Sequence, residues 1–278
     1  MNAALKLILT LGLVTFPISA LAANDQTARS AADADAIALN EHWDGIWNPV
    51  GGLVFDPTKA VRGKMPEELR DDPPYNAEWE AKYEKIIERH KKGFGDDPLG
   101  YCVPHGWPRL FGGAPGPLEI IVKPGTIYII WEYMNQIRRI YTDGRGHPPA
   151  ERLYPSHFGH SIGHWEGKTL VVDTVSMMGY MPFDRTGAPH SDQVHTVERI
   201  RMIDKNTLEN QITVTDPVAF TKPWVVTRQW RRAPADYAMQ DVYCDLQRNP
   251  IENGQTQVLL PGDPGYDQAR KESPLGRE

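Results

Sequence analysis

Residues 194–215 read VHTVERIRMIDKNTLENQITVT. Apolar and polar residues alternate through Val194–Ile203 and again through Leu208–Thr215, with Asp204-Lys205-Asn206 between the runs. Alternation with period two marks half-buried strands, and a short polar cluster between two such runs marks a hairpin. One face of the first run carries Val194, Thr196, Glu198, Ile200 and Met202; the other carries His195, Val197, Arg199 and Arg201. The first face is the more apolar and is expected to point inward. Glu198 would then be an acid in the interior, where a carboxylate must be paired or have a raised pKa. Arg228 and Arg139 are its candidate partners, and Arg228 shares a face with Trp224, Val226 and Trp230.

The same composition extends to both sides of this hairpin. Further strands are predicted at Leu118–Val122, Thr126–Tyr133, Gln136–Tyr141, His160–Trp165, Thr169–Val175 and Trp224–Arg232, all rich in Ile, Val, Thr, Tyr and Trp. Lys123-Pro124-Gly125, Met134-Asn135 and Glu166-Gly167-Lys168 supply tight turns. The expected class is mainly β: an antiparallel, calycin- or lipocalin-like barrel or a strongly curved sheet, with a two-sheet sandwich as the alternative. One helix is predicted from Asn76 to Lys92, capped by Asn76, with Trp79, Tyr83, Ile86, Ile87 and His90 on one face and Gly93 and Gly95 at its end. Residues 41–75, with Trp43, Trp47 and Phe55 among Gly and Pro, read as an irregular strap.

The first 22 residues have the layout of a secretory signal: Lys6, the apolar run Leu7 to Phe16, and Ala20-Leu21-Ala22 before the expected cut. The rest, residues 23–278, reads as one β-rich domain: strap and helix over 23–117, barrel over 118–245, extended tail over 246–278. The apolar run is too short to span a membrane, so a periplasmic or secreted protein with no integral membrane segment is expected. The net charge of −6, or −7 without Lys6, gives no electrostatic footprint for nucleic acid. In an oxidising compartment Cys102 and Cys244 are expected to form a disulfide, the alternative being two buried thiols.

Four motifs then become informative: RRIYTDGRGHP (138–148), GHSIGHWEGKTLVVDT (159–174), HSDQVHTVERIR (190–201) and DPVAFTKPW (216–224). Over roughly Cys102 to Cys244 the chain resembles a large family of exported bacterial proteins, most of which carry no assigned activity. Lys168 stands where such proteins often have Asp. The resemblance implies export, a single β-rich unit and a setting in the catabolism of aromatic compounds.

Six of the nine histidines lie between Tyr141 and Arg201: His147, His157, His160, His164, His190 and His195. Imidazole titrates near neutrality and moves protons or binds metals. In a strand His160 and His164 stand about 13 Å apart, too far to share one ion. The loop Tyr180–Gln193 is the leading active-site candidate. There Asp184 would orient an imidazole and His190 would act as general base or acid with His195, His160 being nearby. Tyr141 or Arg185 would stabilise an oxyanion. Asp143 reads as a turn cap. Trp107, Phe111, Trp131 and Phe183, with Glu198, are candidates for lining a ligand pocket.

The leading reading is a cofactor-independent lyase or isomerase, of dehydration or retro-aldol type, acting on a small apolar or aromatic compound. The first alternative is a hydrolase or oxygenase using zinc or iron on ligands drawn from His157, His160, His190, His195 and Asp184. The second is a non-catalytic, lipocalin-like binding protein.

Overall fold

The computed structural model describes residues 43–92, 97–112 and 116–244, and the backbone of 251–252 and 255–256. The leader and most of the tail lie outside the described residues, as do the glycines expected to end the helix.

Nine strands close a barrel in chain order: β1 (Gly45–Pro49), β2 (Leu118–Lys123), β3 (Thr126–Trp131), β4 (Gln136–Tyr141), β5 (His160–Glu166), β6 (Thr169–Val175), β7 (His195–Asp204), β8 (Thr207–Thr215) and β9 (Trp224–Arg232). The barrel expectation holds, with one strand more than the sequence pattern suggested. β1 lies in the stretch read as a strap, yet it pairs with both β2 and β9 and closes the barrel. Its five residues end at Pro49 and are too few to show alternation, which hid it. Trp47 is its inward anchor, fully buried, with the Arg232 guanidinium 4.1 Å from its ring centroid.

The turns follow their residues. Met134 and Asn135 both take positive φ, as a two-residue hairpin of primed type requires. The helix α1 (Ala77–Lys91) is capped by Asn76, whose side chain accepts from the amides of Glu78 and Trp79. Of its apolar stripe only Tyr83 is fully buried. A short helix, α2 (Arg109–Gly112), carries Phe111 into the core, where Phe111 meets Trp107 and Trp230 edge-on. Cys102 and Cys244 are disulfide-bonded, tying the segment before α2 to the chain after β9. No helix among the described residues is long and apolar enough to cross a membrane.

One seam departs from the meander. β4 and β5 run parallel and share only the pairs Ile140↔Ser161 and Tyr141↔Ile162, joined by the long crossover 142–159. Inside the barrel Arg138 spans this seam. It donates from Nε to Ser161 Oγ (3.2 Å) on β5 and from Nη2 to Thr174 Oγ1 (2.9 Å) on β6 and Glu198 Oε2 (2.5 Å) on β7. Asn210 donates to the other oxygen of Glu198 at 2.7 Å, and Trp107 stacks on the guanidinium at 3.8 Å. Glu198 is thus an inward acid paired with arginine, as its strand face required. The partner is Arg138, however, not Arg228 or Arg139. Arg228 is inward but donates to the carbonyls of Val50, Gly52, Val54 and Gly112, and Arg139 faces outward.

Removing one partner of such a pair leaves an uncompensated buried charge, which costs about 3–5 kcal/mol. Arg138→Ala and Glu198→Ala are each expected to lose stability on that scale in urea unfolding. The double variant Arg138→Met/Glu198→Leu should recover much of the loss; a double variant as unstable as the two singles added together would contradict this account of the seam.

Candidate functional site

The outer face of the same seam carries the imidazole cluster. β5 turns His160 outward while Ser161 and Gly163 point in. Gly159, at φ +62, makes the turn that delivers His160, because a Cβ there would stand 2.3 Å from the Val175 carbonyl oxygen. Asp173 faces outward from β6 opposite Ile162 and Val197. His195 opens β7, and His147 reaches in from the crossover.

These groups form one chain. His147 Nε2 lies 2.9 Å from Asp173 Oδ1, and His195 Nε2 lies 3.0 Å from Asp173 Oδ2. His147 Nδ1 lies 2.8 Å from His160 Nδ1. Tyr141 stacks on His160 with centroids 5.5 Å apart, and the Arg145 guanidinium sits 4.1 Å over the Tyr141 ring. Arg145 is also bonded to Asp143, which accepts from the Arg145 amide as a turn cap. The side chains of His147, Asp173 and His195 are 21%, 38% and 37% exposed, so the chain is open to solute.

The tautomers follow from donor and acceptor capacity. A carboxylate only accepts, so His147 and His195 each present Nε2–H to Asp173. A neutral His147 then has a bare Nδ1, which accepts from His160 Nδ1–H. That leaves the lone pair of His160 Nε2 without a partner among the described residues. The electrostatics separate the two ends. Burial lowers the pKa of His160 below its ordinary value, with His147 and Arg145 adding to the effect. The hydrogen bond to Asp173 raises that of His195 against an opposing burial cost. Burial would raise Asp173, but the bonds from His195 and His147 outweigh it and the carboxyl titrates low. The raised His195 and the lowered Asp173 are what an imidazole–carboxylate pair gains, and the lowered His160 stands at the open end of the chain.

The other expected site residues lie elsewhere. His190 is sealed in the core against Phe183 (4.8 Å), with Nδ1 on the Ser191 carbonyl and its pKa lowered by burial; it is not the solvent-facing base that its loop position suggested. Asp184 does not orient an imidazole. It accepts from the Phe55 amide and from the amide and hydroxyl of Thr186, and burial together with its charge pushes neighbouring Asp71 up to about 10. Ser191 donates to Asp216 from both N and Oγ at 2.7 Å. Arg185 is paired with Glu67 at the rim of a cleft of ≈ 160 Å³ between α1 and the 179–189 loop, away from the imidazole chain. Thus the loop Tyr180–Gln193 is mostly interior packing. Trp107, Phe111, Trp131, Phe183 and Glu198 are core residues, all under 5% exposed, rather than the walls of an open pocket.

His157 lies 3.4 Å from the Tyr180 hydroxyl, and His164 is exposed beside Glu166. With His190 buried apart, the four histidines named for zinc or iron do not assemble. Among the described residues no three His, Cys, Asp or Glu side chains are placed to hold a metal ion together. The residues that sequence reasoning left without a role are His147, Asp173 and Arg145. The available signal was parity: Ile162 and His160 share an outward face, and Asp173 pairs directly with Ile162.

No protein-family model matches the chain, and no curated protein matches it. Among solved structures, the fluorescent protein UnaG in its wild-type form is 15% identical with a TM-score of 0.29, over 69% of this chain and 98% of that one. A mutant of UnaG is 16% identical with a TM-score of 0.29, over 69% and 97%.

The His195–Asp173 pair sets a pH window. His195 is raised on folding, so its contribution is complete below its ordinary 6.5 and is lost as pH rises through the raised value. Asp173 is depressed, so its contribution is complete above its ordinary 3.8 and is lost as pH falls through the depressed value. In an NMR titration His195 is expected to titrate above 6.5 and His160 below it. Asp173→Asn should bring His195 down; His195 unmoved in that variant would break the assignment.

Proposed function

We propose that the protein is an acid–base enzyme acting on a small molecule at the outer face of the β4–β5 seam, with His160 Nε2 as general base. The observation that carries this reading is the Asp173–His147–His160 chain. It fixes the His160 tautomer and gives the imidazolium formed on proton uptake a hydrogen-bonded route to a carboxylate, as oriented bases require. His195 holds the second oxygen of Asp173 and positions it, so it is a positioning residue here rather than the acid that reacts.

The reaction class that suits these groups is lyase or isomerase chemistry without a redox step. In a retro-aldol cleavage, His160 Nε2 takes the proton of a β-hydroxyl group. The O–H electron pair forms a new carbonyl at Cβ, the Cα–Cβ bond breaks with its pair passing through the enolate to the ketone oxygen, and the proton held on His160 returns to Cα as the enolate collapses. Arg145, close enough to lower His160 electrostatically, would favour the developing enolate. Tyr141 stacks beside the base, the ring centroids 5.5 Å apart. The exported, catabolic setting implied by the sequence resemblance belongs to this proposal.

The test is turnover of β-hydroxy ketones bearing an aryl group, which report both dehydration and retro-aldol cleavage. His160→Gln is expected to reduce kcat by about 10²–10⁴ with an unchanged Tm. His190→Phe should alter Tm rather than the rate. Full activity in the His160 variant would remove the base assignment, and no turnover by the wild-type protein would leave the barrel as a binding protein.

A further inference from the structure

Beside the relay lies a group of side chains that the proposed chemistry does not use. Alternation through β2, β3 and β4 buries Ile120, Ile127, Ile129 and Ile140 and turns Lys123, Tyr128, Arg139 and Tyr141 outward. The register Lys123↔Thr126↔Tyr141 forms one row, and Ile121↔Tyr128↔Arg139 forms the next. The Arg139 guanidinium lies 5.8 Å from the Tyr128 ring centroid, and that of Arg145 lies 4.1 Å from Tyr141. Each phenol therefore carries a guanidinium, and the second phenol stacks on the base His160.

The cations on this face are Lys123, Arg139 and Arg145. The acids nearby are engaged or set apart: Asp143 is bonded to Arg145, Asp173 to His147 and His195, Asp44 accepts from the Val122 amide, and Glu119 lies one row beyond Tyr128. Lys123 and Arg139 have no carboxylate partner among the described residues. Arg139 is held here by its ring contact with Tyr128 at 5.8 Å, a weak interaction at an exposed site, so redirecting it costs little. A planar guanidinium fork matches a carboxylate bidentately, and flat aromatic rings suit a flat ligand.

We propose that the molecule handled at His160 is an aromatic carboxylate, lying across the Tyr128 and Tyr141 rows with its anion taken by Arg139. Lys123 supplies additional positive field. This inference rests on the reading of His160 as a site for a small molecule, and it names that molecule's class.

The test is binding, which requires no turnover. The full chain is titrated with benzoate, benzyl alcohol and benzylamine while the His160 and tyrosine ring signals are followed by NMR. Benzoate is expected to bind at least about tenfold more tightly than the other two, and less tightly as salt is raised. Arg139→Ala should weaken benzoate by about tenfold or more, with Arg139→Lys intermediate because an ammonium cannot form the fork. Tm measured on each variant confirms that the exposed substitution leaves the fold intact. Equal binding of benzyl alcohol, indifference to Arg139→Ala, or no saturable benzoate binding would overturn the proposal. These outcomes are separate from the catalytic reading, which fails on its own if His160→Gln keeps its turnover.

Discussion

The buried pair Arg138–Glu198 is the constraint on which the rest of the barrel depends. Every other junction in the sheet is antiparallel, but β4 meets β5 in parallel and over two residue pairs. Main-chain bonding alone holds that seam weakly. Arg138 compensates from within, reaching β5, β6 and β7 with one guanidinium. A charge in such a place is tolerated because Glu198, Ser161, Thr174 and the face of Trp107 surround it. The cost of desolvating two ions is recovered only through good geometry and additional hydrogen bonds: each Glu198 oxygen has a partner, whereas Arg138 Nη1 is buried without one among the described residues.

The imidazole chain mirrors this arrangement on the outside. His147 comes from the crossover, His160 from β5, Asp173 from β6 and His195 from β7. The residues that tie the crossover to β5, β6 and β7 outside are therefore the same ones that could move a proton. Fold and proposed chemistry share a cause: a parallel step in an otherwise antiparallel barrel demands a long connection, and the connection brings a histidine beside the strand ends. Half-exposure suits this role, since a fully buried imidazole such as His190 is held neutral and out of reach.

Much of the barrel was legible because period two is a local property. The inward position of Glu198 followed from its neighbours Thr196 and Ile200. The identity of its partner did not. In Gln136–Tyr141 the outward set Ile137, Arg139 and Tyr141 looks more apolar than the inward set Gln136, Arg138 and Ile140, so side-chain polarity favours the wrong arginine. β1 was missed because its five residues are bounded by Gly and Pro and its partners lie far away in sequence. The site was half legible. His160, His195 and Tyr141 could be named as titratable or aromatic groups at strand ends, but their link through Asp173 and His147 depends on a crossover that sequence pattern does not place. The Tyr180–Gln193 loop misled for a complementary reason: its polar residues satisfy one another and the backbone inside the fold, and polarity alone does not separate that from a solvent-facing site.

The central claim is that the chain Asp173–His147–His160 leaves His160 Nε2 as a bare lone pair. Long-range ¹⁵N–¹H correlation spectra of the imidazoles, recorded on the full protein near neutral pH, report this tautomer directly. The expected result is His160 protonated on Nδ1 and His147 protonated on Nε2, with that preference lost in Asp173→Ala, which offers no acceptor. A His160 protonated on Nε2, or tautomers indifferent to Asp173, would contradict it.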